Sequence, residues 1–379
     1  MALDLPALRN DLHQHPELAF QEQRTKAILL DRLNEIKRCY TGSDGLDPAG
    51  FRIFELQSST GLLVEYSYGQ GSYRLFRADM DALPVSEATA CGFASLNPGM
   101  MHACGHDIHM TVLIGLIEAV CLAKPARNLL FLFQPAEEGQ GGAQSVLAEG
   151  ILQTYQIDSA IALHVGSEMP VGTVASRPGI FFGIPQEFDV EFTGRAAHVA
   201  FPEKGVNAIA AAMDFLDRMR RDIATLSEGH RVIWHVGKIS GGAIRNVIAD
   251  RCLLEGTHRS LEKAARDAMN ELIRKNAVAA AETISASART ELLCSYDPVV
   301  NNPALVEELS QTCASLGISY RTAPVVMTGE DFGFFTSLYP GLLFWLGSGC
   351  DQPLHSERFL PDESCIGIGV KALLALAAR

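Results

Sequence analysis

The chain has little positive charge to spare. Its 379 residues carry 31 Lys and Arg against 44 Asp and Glu, a net charge of −13. Nucleic-acid binding needs a basic footprint, so no nucleic-acid partner is expected. No continuous apolar run reaches the ~18 residues of a membrane span, so no membrane partner is expected either. The opening Met1-Ala2-Leu3-Asp4-Leu5 lacks the basic start and apolar stretch of a signal peptide, which suggests a cytoplasmic location. The nine cysteines include no C-x-x-C pair, and an odd number cannot all pair within one chain. Reduced thiols packed as small core residues are the simple expectation. Also missing are G-x-S-x-G, G-x-G-x-x-G and Walker sequences, which argues against a serine elbow, a dinucleotide fold and a phosphate loop. There is no internal repeat and no low-complexity segment.

The length favours two domains, and 47% hydrophobic residues suffice for a sizeable core. A helix is expected from Leu5 to His15, capped by Asp4 and started by Pro6. A second should run from Gln21 to Lys37, followed by turn-rich residues from Asp44 to Gly50. Apolar strands then end in polar residues. Tyr73 to Ala78 leads to Asp79 and Asp81, Asn128 to Phe133 to Glu137 and Glu138, and Ser159 to Leu163 to His164. Gly341 to Leu346 precedes His355. Helices are expected from Asp107 to Leu122 and from Gly142 to Leu152. Strands alternating with helices predict an α/β fold, a mixed, largely parallel sheet with helices on both faces. Such sheets bind ligands beyond the carboxyl ends of their strands, where these polar residues lie.

Between Gly179 and Thr290 the pattern changes. Gln186 to Phe192 alternates polar and apolar residues, as in a half-exposed strand. A helix (207–225), two strands (231–239 and 250–257), a long helix (261–285) and a strand (291–296) follow. An inserted α+β open sandwich is expected at residues 179–290, within a domain made of residues 1–178 and 291–379.

The densest chemistry is Met101-His102-Ala103-Cys104-Gly105-His106-Asp107-Ile108-His109, with one thiol, three imidazoles and a carboxylate. Cys104 and His106 can reach neighbouring positions around a metal pair. Glu137 and Glu138 are adjacent, so one can bind metal while the other faces an attacking water as general base. His164 and His355 are lone histidines, a type more often structural, but their places at or near strand ends support them as ligands. Asp79 and Asp81 suit positions behind the ligands, and equally a plain turn after a strand. In the insert, His198, Asn246 and Arg259 are candidates for stabilising an oxyanion or gripping a carboxylate, although spacing alone favours surface polar roles. Cys104 as a nucleophile is a rival reading, but it leaves the carboxylates and the other histidines without roles.

These motifs resemble the amidohydrolase branch of the aminoacylase and carboxypeptidase superfamily of dinuclear metallopeptidases. The likeness rests on nine segments. They are Arg9 to Glu17, Arg77-Ala78-Asp79-Met80-Asp81-Ala82-Leu83-Pro84, His102 to Asp107, Gln134 to Gly139, Gly194 to Pro202, Asn246-Val247-Ile248, Gly256-Thr257-His258-Arg259, Met327 to Phe332, and Phe344 to Gly347 with His355. The resemblance implies two divalent metal ions, from among manganese, zinc, cobalt and nickel, held by Cys104, His106, Glu138, His164 and His355. It implies Glu137 as general base and acid, and the insert as a lid and dimerisation domain of a homodimer. There His198 would polarise the scissile carbonyl, from its own or the partner subunit, and Asn246 and Arg259 would bind substrate. The implied reaction is hydrolysis of the amide of an N-acyl amino acid. Within the branch, Phe131 to Ala143 and Met327 to Phe334 are most similar to N-acetyldiaminopimelate deacetylases. Broader N-acyl-amino-acid or hippurate hydrolysis is the neighbouring alternative, and an inactive binding protein on this fold is the alternative of another class. Two departures stand out: Ile108, where many relatives carry a small residue, and a long segment from Tyr40 to Phe54.

Overall fold

The computed structural model describes residues 3–40 and 50–379. The expected turn-rich segment after Asp44, and most of the long segment after Tyr40, lie outside the described residues. The chain divides into two compact units. One comprises Met1–Phe181, Val299–Pro324 and Asp331–Arg379; the other comprises Phe182–Pro298 and Val325–Glu330.

The first unit is built on a mixed sheet. Its strands run Phe51–Glu55, Leu62–Tyr66, Asn128–Gln134, Tyr73–Asp79, Ile157–Gly166, Gly341–Gly347, Val299–Asn301 and Gly179–Phe182 in spatial order, with Thr173–Ser176 and Ser319–Thr322 off this path. The central pairings, from Asn128–Gln134 through Tyr73–Asp79 and Ile157–Gly166 to Gly341–Gly347, are parallel. That explains why Asn128–Gln134 shows no alternation: all seven residues are buried. Phe76 and Phe131 stack with ring centroids 5.9 Å apart, contributing about 1 kcal/mol beyond the area they bury.

Helix Leu5–Gln14 forms as its sequence directs: Asp4 accepts from the Ala7 N–H at 3.1 Å, and Leu8 and Leu12 face the core. Helix His106–Ala123 lacks an amphipathic period because it is buried almost all round. Its length and hydropathy suit a membrane span, yet 83% of it is buried inside the protein, as in a core helix. Gly105, at φ +84°, starts it. A Cβ there would lie 2.4 Å from Val165 Cγ2, so glycine lets His106 approach the strand carrying His164.

The second unit is a four-stranded antiparallel sheet, ordered Ser287–Ser295, Ile184–Thr193, Arg251–Ser260, Val232–Gly241. Phe188, Val190 and Phe192 alternate inward and cluster with Phe215 of helix Ala208–Leu226 and with Met269 and Ile273 of helix Lys263–Thr283. The expected boundary after residue 290 falls inside strand Ser287–Ser295, which stays with this unit because it pairs along Ile184–Thr193. Residues Val325–Glu330 also belong here. Helices Pro303–Leu316 and Ser364–Ala377 of the first unit were not anticipated.

Candidate active site

Five ligand candidates and Glu137 meet in the first unit, beyond the carboxyl ends of its parallel strands. The ligand atoms of Cys104, His106 and His164 lie within 4.8 Å of one another, as do those of Cys104, Glu138 and His355. A third group is His106, Glu137 and Glu138. Cys104 Sγ lies 3.4 Å from His164 Nε2 and 3.4 Å from His355 Nε2. Two overlapping donor sets sharing one thiol suit a metal pair.

Two of the three histidines are aimed by their other nitrogen. His106 Nδ1 donates to the Asp81 carbonyl at 2.8 Å, and His164 Nδ1 donates to the Val165 carbonyl at 2.9 Å. Both Nε2 lone pairs therefore turn inward. His106 Nε2 is buried with no hydrogen-bond partner among the described residues, a costly state unless something binds it. His355 sits at φ +67°, with its backbone N–H donating to the Ala103 carbonyl at 2.8 Å and its Nε2 3.3 Å from Glu138 Oε1.

Asp81 and Asp79 stand behind these groups. Asp81 Oδ1 accepts the Glu137 N–H at 3.0 Å, and Oδ2 accepts the Glu138 N–H at 2.9 Å. Asp79 Oδ1 accepts from His109 Nδ1 at 2.6 Å, while His109 Nε2 accepts the Val165 N–H at 2.9 Å. His109 thus spends both nitrogens on support. In the loop carrying Glu137, Ala136 lies in the left-handed region at φ +57°. Glu22 holds it, accepting the Ala136 N–H at 3.0 Å and the Thr60 hydroxyl at 2.6 Å.

Electrostatics favour positive charge here. Burial works against a charged His106, but Asp79, Asp81 and Glu138 outweigh it and push its pKa up to about 10. Burial likewise opposes charge on Asp79, yet His106, His109 and Arg77 hold it well below the usual carboxylate range. Burial, joined by Glu138, Glu137 and Asp79, pushes the Cys104 thiol well up. A nucleophile and a metal ligand both act as thiolate, so the carboxylates and histidines gathered around the thiol, rather than this shift, favour the ligand reading. S, N and O donors, a buried orphan nitrogen and surrounding carboxylates together fit divalent metal.

His102 remains outside this set. Burial pushes it down to about 4, so it is neutral, and neither ring nitrogen has a partner among the described residues.

In the second unit, His198 and Asn246 belong to adjoining backbone segments. His198 bridges to Val247, and the Val199 N–H donates to the Asn246 carbonyl at 3.1 Å. The exposed His198 accepts the Ala200 N–H at Nδ1, 3.1 Å away, which puts its proton on Nε2 and leaves that N–H as a donor. Arg259 lies on strand Arg251–Ser260, half buried, donating to Thr257 Oγ1 and, at 3.1 Å, to the His258 carbonyl.

Sequence reasoning gave no role to Arg77, Gln134, Asp331 or Glu22. The first three were quoted only as parts of matching motifs; a buried charged pair far apart in sequence leaves no periodic signal.

This geometry agrees with what the chain is similar to. Residues 75–379 match the model of peptidase family M20/M25/M40. The chain belongs to that family and is a metal-dependent amidohydrolase. It is 36% identical over 380 residues to the N-acetyldiaminopimelate deacetylase of Oceanobacillus iheyensis, covering 99% of each chain. It is 35% identical to that of Bacillus subtilis, covering 98% of this chain and 96% of the relative. Among solved structures, the Bacillus subtilis YXEP protein, a dinuclear metal binding peptidase of family M20, superposes with a TM-score of 0.82 at 29% identity. That match covers 99% of this chain and 96% of the other. The aminobenzoyl-glutamate utilization protein of Klebsiella pneumoniae shares the fold, with a TM-score of 0.71 at 21% identity over 99% of this chain and 95% of the other.

Proposed function

We propose that the protein removes the acetyl group from N-acetyl-diaminopimelate, giving diaminopimelate and acetate, in the cytoplasm and as a homodimer. The observation that carries the chemistry is the convergence of Cys104, His106, Glu138, His164 and His355 beside Glu137. The substrate rests on relatives of that name, similar along nearly the full chain. Two divalent ions held by the five side chains would supply Lewis acidity, acidifying a water and polarising the amide carbonyl. Their S, N and O donors suit manganese, zinc, cobalt or nickel.

Glu137 takes a proton from the attacking water. The remaining hydroxyl adds to the carbonyl carbon, and negative charge develops on the carbonyl oxygen. The His198 Nε2–H is a donor suited to that oxygen, and Asn246 and Arg259 are suited to the rest of the substrate. When the C–N bond breaks, Glu137 passes its proton to the departing amine. Asp81 holds the Glu137 backbone throughout. Dimer formation is supported by the sheet-edge strand Val232–Gly241, which exposes Ile233 and Ile239, while Met213 and Ile244 are exposed in the same unit.

The test is amine release from N-acetyl-diaminopimelate, other N-acetyl-amino acids, hippurate and an indoleacetyl-amino acid, with added manganese, cobalt or zinc and a chelator control. Metal-dependent preference for the first supports the proposal. Preference for hippurate moves the enzyme to the broader N-acyl class. Glu137→Ala should lower the rate about 10²–10⁴-fold while keeping metal; wild-type turnover would overturn the assigned mechanism.

A further inference from the structure

Segment Met327 to Phe332 supplies no ligand candidate, yet Asp331 is fully buried beside the site. Its partner is Arg77, also buried, on strand Tyr73–Asp79. A buried ion pair stabilises little unless its remaining groups are satisfied, and similar-sized apolar residues often serve stability as well. Such a pair therefore calls for another explanation.

The bonds around Asp331 give one. Oδ1 accepts from Arg77 Nη2 at 2.6 Å. Oδ2 accepts from Gln134 Nε2 at 2.7 Å and from the Ala143 N–H at 2.9 Å. Gln134 is the last residue of its strand, and Ala143 lies in the first turn of helix Gly142–Glu149. One carboxylate thus clamps both ends of the loop bearing Glu137 and Glu138. The Asp331 backbone N–H meanwhile donates to Glu137 Oε1 at 3.3 Å. Arg77 secures the clamp from behind, donating through Nε to Gln134 Oε1 at 2.9 Å and through Nη1 to Asp79 Oδ2 at 2.6 Å. A single guanidinium ties the base loop to the carboxylate that supports His109.

We propose that Asp331, with Arg77 as its counter-ion, is a positioning residue for the general base. The pair fixes both ends of the Glu137 loop, and the Asp331 peptide N–H orients the Glu137 carboxylate. The inference rests on the assignment of Glu137 as base. Asp331 touches no substrate and acts only through Glu137. Asp331→Asn keeps the side-chain shape but removes the charge that Arg77 grips, and it offers an amide NH2 where two of the three donors now point.

The test is a double-mutant cycle on the metal-loaded enzyme, with an N-acetyl-amino acid that the wild type cleaves. Metal content and thermal midpoint are measured for every variant. Asp331→Asn should lower kcat about 10²-fold, the cost of a misplaced reacting group, with KM and metal content near wild type. In a Glu137→Ala background the same substitution should have no further effect, because a positioner has nothing left to position. Equal fold-losses in both backgrounds, loss of bound metal, or a wild-type kcat in Asp331→Asn would each overturn the proposal. Arg77→Lys keeps a charge but loses the fork, and it should repeat the pattern more weakly; a wild-type kcat there would remove Arg77 from the proposal. Wild-type turnover by Glu137→Ala alone would instead overturn the base assignment, so the two failures are told apart.

Discussion

His106 and His164 of the first unit and His198 of the second are held in opposite ways, while His355 is exposed like His198. In the first unit, His106 and His164 are buried, and each has one ring nitrogen fixed by a carbonyl. Glu137 and Glu138 are held at the backbone by Asp81. In the second, His198 is exposed and fixed by a single local bond from Ala200. The difference matches the tolerances of the two tasks. A metal ligand must sit within a few tenths of an ångström and needs a dry, over-determined cradle. A donor for charge that develops during reaction needs the right tautomer and an accessible N–H, and a short turn can provide both.

The contrast predicts that changes in the two units separate chemistry from metal loading. His198→Ala should lower kcat about 10²–10³-fold, as expected for loss of an oxyanion donor, with metal content unchanged. Kinetics beside elemental analysis would check this, and loss of metal would break the comparison. Asp81→Asn should do the reverse first. It sets an NH2 against one of two N–H groups and should weaken metal binding about 10–100-fold, read by chelator competition. Unchanged metal affinity would mean that the cradle is looser than its bonds suggest.

The smallest effect concerns Glu22. Burial raises its pKa from 4.5 to about 6, against the lowering effect of the Thr60 and Ala136 bonds. The folded state therefore holds this proton more tightly than the unfolded state does. Its stabilising contribution is full below 4.5 and is lost as pH rises through about 6. Glu22→Gln cannot ionise, so urea unfolding at pH 4.5 and 7 should show a pH dependence flatter by about 2 kcal/mol. An unchanged pH dependence would show that Glu22 is not the group responsible.

What the sequence disclosed follows from the same physics. Asn128 to Phe133 and Ser159 to Leu163 are apolar because parallel strands are covered on both faces, so their polar termini stand out. Those termini hold Glu137, Glu138 and His164. Asp79 and Asp81 were only half readable, because the end of strand Tyr73–Asp79 suits a support and a plain turn equally well. The Arg77–Asp331 pair was not, because it joins residues 254 positions apart and appears only when the chain is folded. Helix Ser364–Ala377 is apolar enough to hide its period, whereas Pro303–Leu316 carried a usable signal in Asn302-Pro303, with Asn302 capping Ala304 at 2.9 Å. The boundary near residue 290 was misplaced because a strand's membership is decided by its partner, here Ile184–Thr193.

Asp81 has one more consequence, for how such a site can change over generations. Its carbonyl aims His106, and its two carboxylate oxygens hold the backbones of Glu137 and Glu138. No other side chain type offers two acceptors at that reach from that backbone position. Drift there would leave the backbone carbonyl but free the Glu137 and Glu138 backbones at once, and no single second substitution restores both bonds. Position 81 should therefore tolerate as little variation as the ligands themselves, although it is not among them.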